Sequence, residues 1–487
     1  MDDADSTQPA QSRELWLLLL LLAATVAVRS VALDRPLLGN FATKNVVYAM
    51  IARNWVAGRA GWAYPTLDCM VGGARSLHML ELPLSAYVTA TVWRVGGGSL
   101  EIWGRLTAVA FTTAAVAVFY RFVRRRHGPA AAAAGAMVLA FSPVSVIYGQ
   151  SFMLEASLLF FTVATFAALD RYLRCGRVLW LITAGVWLAL LLLTKIYMIV
   201  VLVPLGCMAL AERRSRTTAL LAIVLMSAAV VPAIAWYSHA AWTADPANPL
   251  AARVFYSVRQ SAEVHAPPHP LLKSPDFYRQ LLDDASGVVL TPIGLTLAVM
   301  GLMNRAWRQY IPWLLASAIL VAILPRKFFE MNYYYLAVLP PLALLAGLGW
   351  QAIAENVQPR RWTVSVLVLA ATGLSLRYAA GPAFTTPPED RSVVAASRTV
   401  ARLTAPGEPV ATIHGSGIDL LYYCDRAGWA LDADSPELPA QIEACRRQGA
   451  RYLVVAGDPT AVRGVGMPTV EGRGFAIYRL STHLDTP

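Results

Sequence analysis

Four lysines and three carboxylates carry the chemistry that this chain advertises. Its 41 basic residues include only Lys44, Lys195, Lys273 and Lys327; the rest are arginine. Lys195 closes the apolar run LALLLLT, Arg326-Lys327 follow another, and Glu155 interrupts SFMLEASLLFF. An ionisable side chain at the edge of an apolar helix is costly, and its default reading is functional. Asp68 in YPTLDCMVGG and Glu81 in LELP complete the set. A carboxylate can take a proton from a hydroxyl, and a lysine ammonium is a point charge for a phosphate. Cations so placed also stabilise charge as it develops on a leaving phosphate. Asp68, Glu81 and Glu155 are therefore the catalytic candidates, and Lys44, Lys195, Arg326 and Lys327 the phosphate ligands. His78, Tyr333 and Tyr334 are candidate substrate contacts, with Asn332 beside them. Each has a plainer reading. Lysines anchor headgroups by snorkelling, Tyr333-Tyr334-Tyr335 fit an interfacial aromatic belt, and Asp34 reads as a helix-end charge.

The elements that position these residues are membrane helices. The 487 residues are 57% hydrophobic and 15% charged, with a mean hydropathy of +0.50; soluble chains carry about 25% charge. Apolar runs of span length recur, each closed by arginine or a Pro/Gly cluster. The net charge of +11 sits in small arginine groups at those ends, which is topological signalling and not a nucleic-acid surface. Basic clusters at 124–126, 171–177, 213–216, 305–308 and 360–361 mark the cytoplasmic side. Expected spans lie near 14–33, 105–123, 130–149, 154–170, 178–194 and 196–211. Five more lie near 217–238, 287–304, 309–325, 333–350 and 362–379. With the N-terminus inside, all the clusters fall inside. The first run lacks a convincing cleavage site and reads as a retained helix.

The four lysines and the elaborate segments then fall outside. Residues 44–58 and 80–95 read as helices in the outer interface, the second being short, carrying Glu81 and Pro83, and ending in GGG. They belong to a first outer loop, 34–104; a second, 239–286, contains APPHP. Apolar density falls after residue 380. There 450–457 and 474–480 read as strands, and 391–403 and 436–447 as helices. The fold class is thus an all-α polytopic membrane domain (1–380, about eleven transmembrane helices) followed by a small extracytoplasmic α/β domain (381–487). Cys424 and Cys445 fall in that tail, where a disulfide is feasible. No CxxC, HExxH or other metal-ligand spacing occurs. A transporter needs features facing both sides, whereas the cytoplasmic loops here are short and plain.

Several stretches resemble the GT-C class of glycosyltransferases, in the branch of protein O-mannosyltransferases and bacterial aminoarabinose transferases. They are AMIARNW (49–55), ELPLSAYVTATVWRVGG (81–97) with GRLTAV (104–109), SFMLEASLLFF, LLLTKIYMIVVLVPL (191–205) and NYYYLAVLPPLALLAGLG. The order of these segments, over residues 14–380, is more specific than any one. The resemblance implies a GT-C-like fold with an outer-face cavity for a polyprenyl-phosphate sugar and an acidic catalytic residue in the first outer loop. It implies a lipid, polysaccharide or protein acceptor, and leaves a divalent metal open. One departure matters: the acidic residue common before the AxIAR-like helix is absent, and NFATKNVVYA stands there. Asp68, Glu81 or Glu155 would serve instead. The alternatives are a lipid-linked sugar transporter or flippase and a catalytically degenerate scaffold subunit. The arginine bias and frequent alanine point to a GC-rich bacterial genome, and the topology and resemblance to the cytoplasmic membrane.

Overall fold

A computed structural model describes residues 8–211, 215–265, 269–388, 390–415, 417–458, 462 and 466–480. Arg213 and Arg214 of one expected basic cluster, and residues 266–268 of APPHP, lie outside them. The chain begins with α1 (Gln8–Arg29), α2 (Ala42–Val56), strands β1 (Thr66–Val71) and β2 (Ala74–Met79), and α3 (Leu84–Gly96). Helices α4 (Leu100–His127), α5 (Pro129–Phe141), α6 (Pro143–Tyr148), α7 (Glu155–Cys175), α8 (Val178–Thr194) and α9 (Leu202–Ala211) follow. Next come α10 (Arg216–Ala228), α11 (Val231–Thr243), β3 (Val254–Ser257), α12 (Val258–His265), α13 (Pro275–Asp284) and α14 (Thr291–Gly301). Then α15 (Ile311–Ile323), α16 (Pro325–Glu330), α17 (Leu339–Val357) and α18 (Arg361–Phe384) complete the apolar part. The tail adds α19 (Arg391–Leu403), β4 (Val410–Ile413), α20 (Asp419–Cys424), β5 (Gly428–Leu431) and α21 (Leu438–Arg447). Three strands end it: β6 (Tyr452–Ala456), β7 (Val470–Gly472) and β8 (Phe475–Arg479).

The chain divides into two compact units. The first, residues 1–33, 105–237 and 262–384, is helical. Among the described residues of the chain five helices are long and apolar enough to cross a membrane, or six if one bent pair counts as a single span. That pair, Pro275–Val289 and Thr291–Gly301, bends by 106°. The expected single span at 130–149 is two helices, because Pro143 has no N–H to donate to α5 and forces Ser142 into an extended conformation. By contrast α7 and α8 form an unbroken antiparallel hairpin about Gly176, which takes the left-handed conformation at the end of α7.

The second unit, residues 34–104, 238–261 and 385–487, holds all the described strands. They make one sheet in the order β3-β2-β1-β5-β4-β6-β8-β7. Strands β5, β4 and β6 are parallel, and β8 runs antiparallel to β6. Strands β6 and β8 and helices α19 and α21 lie where alternation and periodicity predict them. Strands β1 to β3 fall instead in segments read as loop. The Gly72-Gly73 turn, with φ of 57° and 77°, folds β1 back onto β2 with Val71 opposite Ala74. A single bridge, Cys69 to Gly428, joins this hairpin to the sheet of the tail. Leu438, Ile442 and Cys445 of α21 pack over Ile413, Leu453 and Val455. Cys424 and Cys445 are buried free thiols and form no disulfide.

His414, at the end of β4, ties two helix starts together. Its Nδ1 lies 2.8 Å from Asp419 Oδ2 and its Nε2 3.4 Å from Asp390 Oδ1. Burial disfavours the charged ring, but the hydrogen bond to Asp419 and the two carboxylate charges outweigh it and raise the His414 pKa above its ordinary value. A raised folded pKa gives stability that is complete below the unfolded value of about 6.5 and is lost as pH rises through the folded value. Thermal melting of the full chain should therefore show the second unit's transition falling as pH rises above about 6.5. His414→Gln should flatten that dependence; an unchanged pH profile in the variant would remove His414 from the account.

Candidate functional site

The first cluster is set by the α7–α8 hairpin. Glu155 begins α7 and Lys195 follows the last residue of α8. Both lie about twenty residues from the Gly176 turn, and antiparallel helices rise about 1.5 Å per residue. The two side chains must therefore meet at the same end of the hairpin. A carboxylate in the first turn of one helix and an ammonium at the C-terminus of the next are also each favoured by the helix dipole. Lys195 Nζ lies 4.0 Å from Glu155 Oε1, and both side chains are buried. This separation is long for a hydrogen-bonded pair.

Aromatic side chains from a 3-10 turn, Asn332–Ala337, complete the cluster. Tyr333 stacks on Tyr334 at 4.8 Å between ring centroids and meets Tyr148 of α6 edge-on at 5.8 Å. Tyr197, in the turn after Lys195, lies 5.3 Å from Tyr334. The Tyr148 hydroxyl donates to Asn332 Oδ1, and Lys195, Glu155 and Tyr197 all act electrostatically on Tyr333. Lys327 Nζ approaches the Tyr334 ring at 5.9 Å. Glu155, Lys195, Lys327, Tyr333 and Tyr334 are thus brought together. Arg326 points elsewhere: it pairs with Glu330 one turn along α16 at 2.7 Å, at the surface.

The second unit holds the remaining candidates in two groups. The β2–β3 register sets His78 opposite Tyr256. The buried His78 ring sits edge-on between Tyr256 at 5.6 Å and Tyr48 of α2 at 6.2 Å. Tyr48 donates its hydroxyl to Glu81 Oε1, and Lys44 Nζ lies 6.0 Å from the Tyr256 ring. Burial and the nearby Cys69 push the Tyr256 phenol up to about 12, so it is neutral beside the ammonium. Asp68 has different partners. Its Oδ2 accepts from Arg53 at 2.7 Å and its Oδ1 from Arg75 at 3.1 Å, with Arg59 at 3.9 Å. Arg53 continues to Asp425 at 2.9 Å and to the Tyr422 carbonyl. Burial works against the Arg53 charge, yet Asp68 and its neighbours hold its pKa above the ordinary value.

Tyr48, Tyr148, Tyr197 and Tyr256 were not singled out by sequence. Tyr48 had a signal, standing one turn before Ala52 in the helix that carries AMIAR. The others are aromatic residues in apolar or loop segments with nothing local to mark them. Among the described residues no group of three or more His, Cys, Asp or Glu side chains could hold a metal ion. The chemistry below uses no metal.

With this geometry in hand, the likeness to known proteins becomes specific. The family of dolichyl-phosphate-mannose-protein mannosyltransferases matches residues 81–236, under half of the chain. No curated protein matches the chain in sequence. The fold matches ArnT from Cupriavidus metallidurans bound to undecaprenyl phosphate at a TM-score of 0.67 and 16% identity, covering 96% of this chain and 99% of that one. It also matches the archaeal oligosaccharyltransferase AglB from Archaeoglobus fulgidus, in complex with an inhibitory peptide and a dolichol-phosphate. That match has a TM-score of 0.55 and 12% identity, over 92% of this chain and 70% of AglB. Both are GT-C glycosyltransferases. The chain has the GT-C fold. The family match includes Glu81, Tyr148, Glu155, Lys195 and Tyr197, and Lys327, Tyr333 and Tyr334 lie beyond it.

The Asp68 network yields a stability test. Removing one partner of a buried ion pair costs about 3 to 5 kcal/mol because the other charge is stranded. Asp68→Asn should cost toward the lower end of that range, since Arg75 and Arg59 are partly exposed. Urea unfolding of the purified chain measures it, and a loss below ~1 kcal/mol would mean that the three arginines do not depend on Asp68.

Proposed function

We propose that this chain is a glycosyltransferase that moves a sugar from a polyprenyl-phosphate carrier to an acceptor at the outer face of the cytoplasmic membrane. The observation that carries the reading is the buried Glu155–Lys195 pair, walled by Tyr333 and Tyr334 with Lys327 beyond, in a chain of GT-C fold. In this reading Lys195 meets the incoming phosphate and Glu155, 4.0 Å away, keeps the ammonium oriented. Undecaprenyl phosphate in the ArnT structure and dolichol-phosphate in the AglB structure support a lipid phosphate as the ligand. The proposed topology is the eleven-span arrangement with the N-terminus cytoplasmic. Both outer loops, 34–104 and 239–286, and the tail 381–487 are then extracytoplasmic. The acceptor is a lipid, polysaccharide or protein hydroxyl or amine.

In the reaction the bond between the anomeric carbon and the phosphate oxygen breaks as the acceptor atom bonds to that carbon. Polyprenyl phosphate leaves with the electron pair, and Lys195 and Lys327 stabilise its charge. A carboxylate takes the acceptor's proton. Both oxygens of Asp68 accept from guanidinium groups, which supports a role in holding the second unit together and makes Asp68 the weakest of the three base candidates. Glu155 and Glu81 are the stronger candidates, the first buried beside Lys195 and the second accepting from the Tyr48 hydroxyl. Lys44 binds the donor phosphate in this scheme, while His78, Tyr333 and Tyr334 contact the sugar or acceptor. Arg326 contributes least, being paired at the surface.

Release of radiolabelled sugar from polyprenyl-phosphate donors tests this, with a membrane extract as acceptor. Wild type should turn over. Loss of the base, by Glu155→Gln or Glu81→Gln, should lower kcat by about 10²- to 10⁴-fold. Lys195→Met should raise the donor KM as well as lowering kcat, and Arg326→Met should change little. Donor that binds to wild type without any turnover would point to the degenerate scaffold, a reading favoured by the lysine standing at position 44. Donor that crosses the bilayer unchanged would point to a flippase.

A further inference from the structure

Arg29, with Arg105, is among the largest fully buried side chains of the first unit, and the reaction scheme has no use for it. It ends α1, and no carboxylate pairs with it among the described residues. Its donors go to main-chain oxygens instead. Nη1 donates to the Thr25 carbonyl at 3.2 Å, while Nη2 donates to the Ala140 carbonyl at 2.5 Å and the Ser145 carbonyl at 3.0 Å. The Ser145 hydroxyl accepts a further bond at 3.0 Å.

Of these acceptors the Ala140 carbonyl lies in the last turn of α5, just before the break at Pro143, and Ser145 lies in α6 just after it. In a membrane every freed backbone group must find a partner within the protein. A break between α5 and α6 leaves the last carbonyls of α5 without donors, and α6 ends again after one and a half turns. The ends of two helices carry partial negative charge, so a guanidinium can lie there without a carboxylate. The residue after α6 is fitted to the same group. A Cβ on Gly149 would lie 2.7 Å from Arg29 Nε and 2.9 Å from Thr112 Oγ1, and would strike the Ser145 carbonyl. Thr112 in turn donates to the Gly149 carbonyl at 3.2 Å. Farther along, Gln150 Nε2 donates to the Ala383 carbonyl at 2.9 Å, and Ser142 Oγ donates to the Val289 carbonyl at 2.5 Å.

The fastened segment, 142–155, carries two members of the first cluster. Tyr148 contacts Asn332 and Tyr333, and Glu155 faces Lys195. Without Arg29 the Ala140 carbonyl and the Ser145 hydroxyl at the α5–α6 corner lose this donor and the Ser145 carbonyl keeps the Gly149 N–H, and the corner is what aims both side chains.

We propose that Arg29 is a positioning residue for sugar transfer, its buried guanidinium locking the broken α5–α6 helix so that Tyr148 and Glu155 hold their places. The proposal rests on the glycosyltransferase reading. It makes Gly149 a second positioning residue by an independent route, through steric contact instead of charge.

The test uses the full chain in nanodiscs, assayed well below each variant's melting temperature, with rates normalised to folded protein. Arg29→Met removes the donors, Arg29→Lys keeps the charge with fewer donors, and Gly149→Ala displaces the guanidinium without removing it. Misplacement by about 1 Å can cost about 100-fold in rate. Arg29→Met and Gly149→Ala should each lower kcat by at least ~10-fold with the donor KM within ~3-fold of wild type. Arg29→Lys should recover part of the loss. Lower melting temperatures with kcat per folded molecule unchanged would overturn the proposal, leaving Arg29 a purely structural group. Failure of both Gly149→Ala and Arg29→Lys to fold would overturn it in the same way. Absence of turnover in wild type would instead count against the glycosyltransferase reading itself.

Discussion

The Glu155–Lys195 pair is the constraint on which the proposed chemistry of the first unit depends. A lone charge in an apolar helical unit is expensive, and removing either partner strands the other. The pair forms because two helices of similar length fold back at Gly176, so its geometry is a consequence of chain spacing. Placed 4.0 Å apart, the two groups offset each other's charge in a buried setting. The tyrosines supply rigid walls with hydroxyl groups, from a 3-10 turn that α6 buttresses through Tyr148.

A second constraint follows from the first. The carboxylate must begin α7, and the chain reaches that point from α5 through a break at Pro143. Broken helices inside an apolar unit need internal donors for the carbonyls they free. Arg29 meets that need from α1, residues remote in sequence. The second unit solves a different problem with the same residue type: Arg53, Arg59 and Arg75 gather on Asp68 and tie the first loop's hairpin to the tail beyond α20.

Much of the first cluster was legible in the sequence because its residues break a pattern. Glu155 and Lys195 interrupt apolar runs, and Lys327 stands near a triple tyrosine; each exception is costly enough to need a reason. Strands β6 and β8 were legible from alternation. Strands β1 to β3 were not, since their pairing joins residues far apart and their local pattern is weak; only Gly72-Gly73 marked the hairpin. Arg29 was hidden because an arginine ending an apolar run looks like a topological signal. Arg326 looked like the companion of Lys327, but the i,i+4 spacing to Glu330 turns it away. Asp68 read as a catalytic candidate because the arginines around it come from separate places: Arg53 from α2, Arg59 from the loop after it and Arg75 from β2.

The most direct measurement of the central claim is an experimental structure of the chain with a polyprenyl phosphate bound. The account predicts the phosphate within hydrogen-bonding distance of Lys195 Nζ, on the side of Tyr333 and Tyr334, with Glu155 still facing the ammonium. A phosphate bound away from Lys195, with the Glu155–Lys195 pair closed and undisturbed, would contradict it.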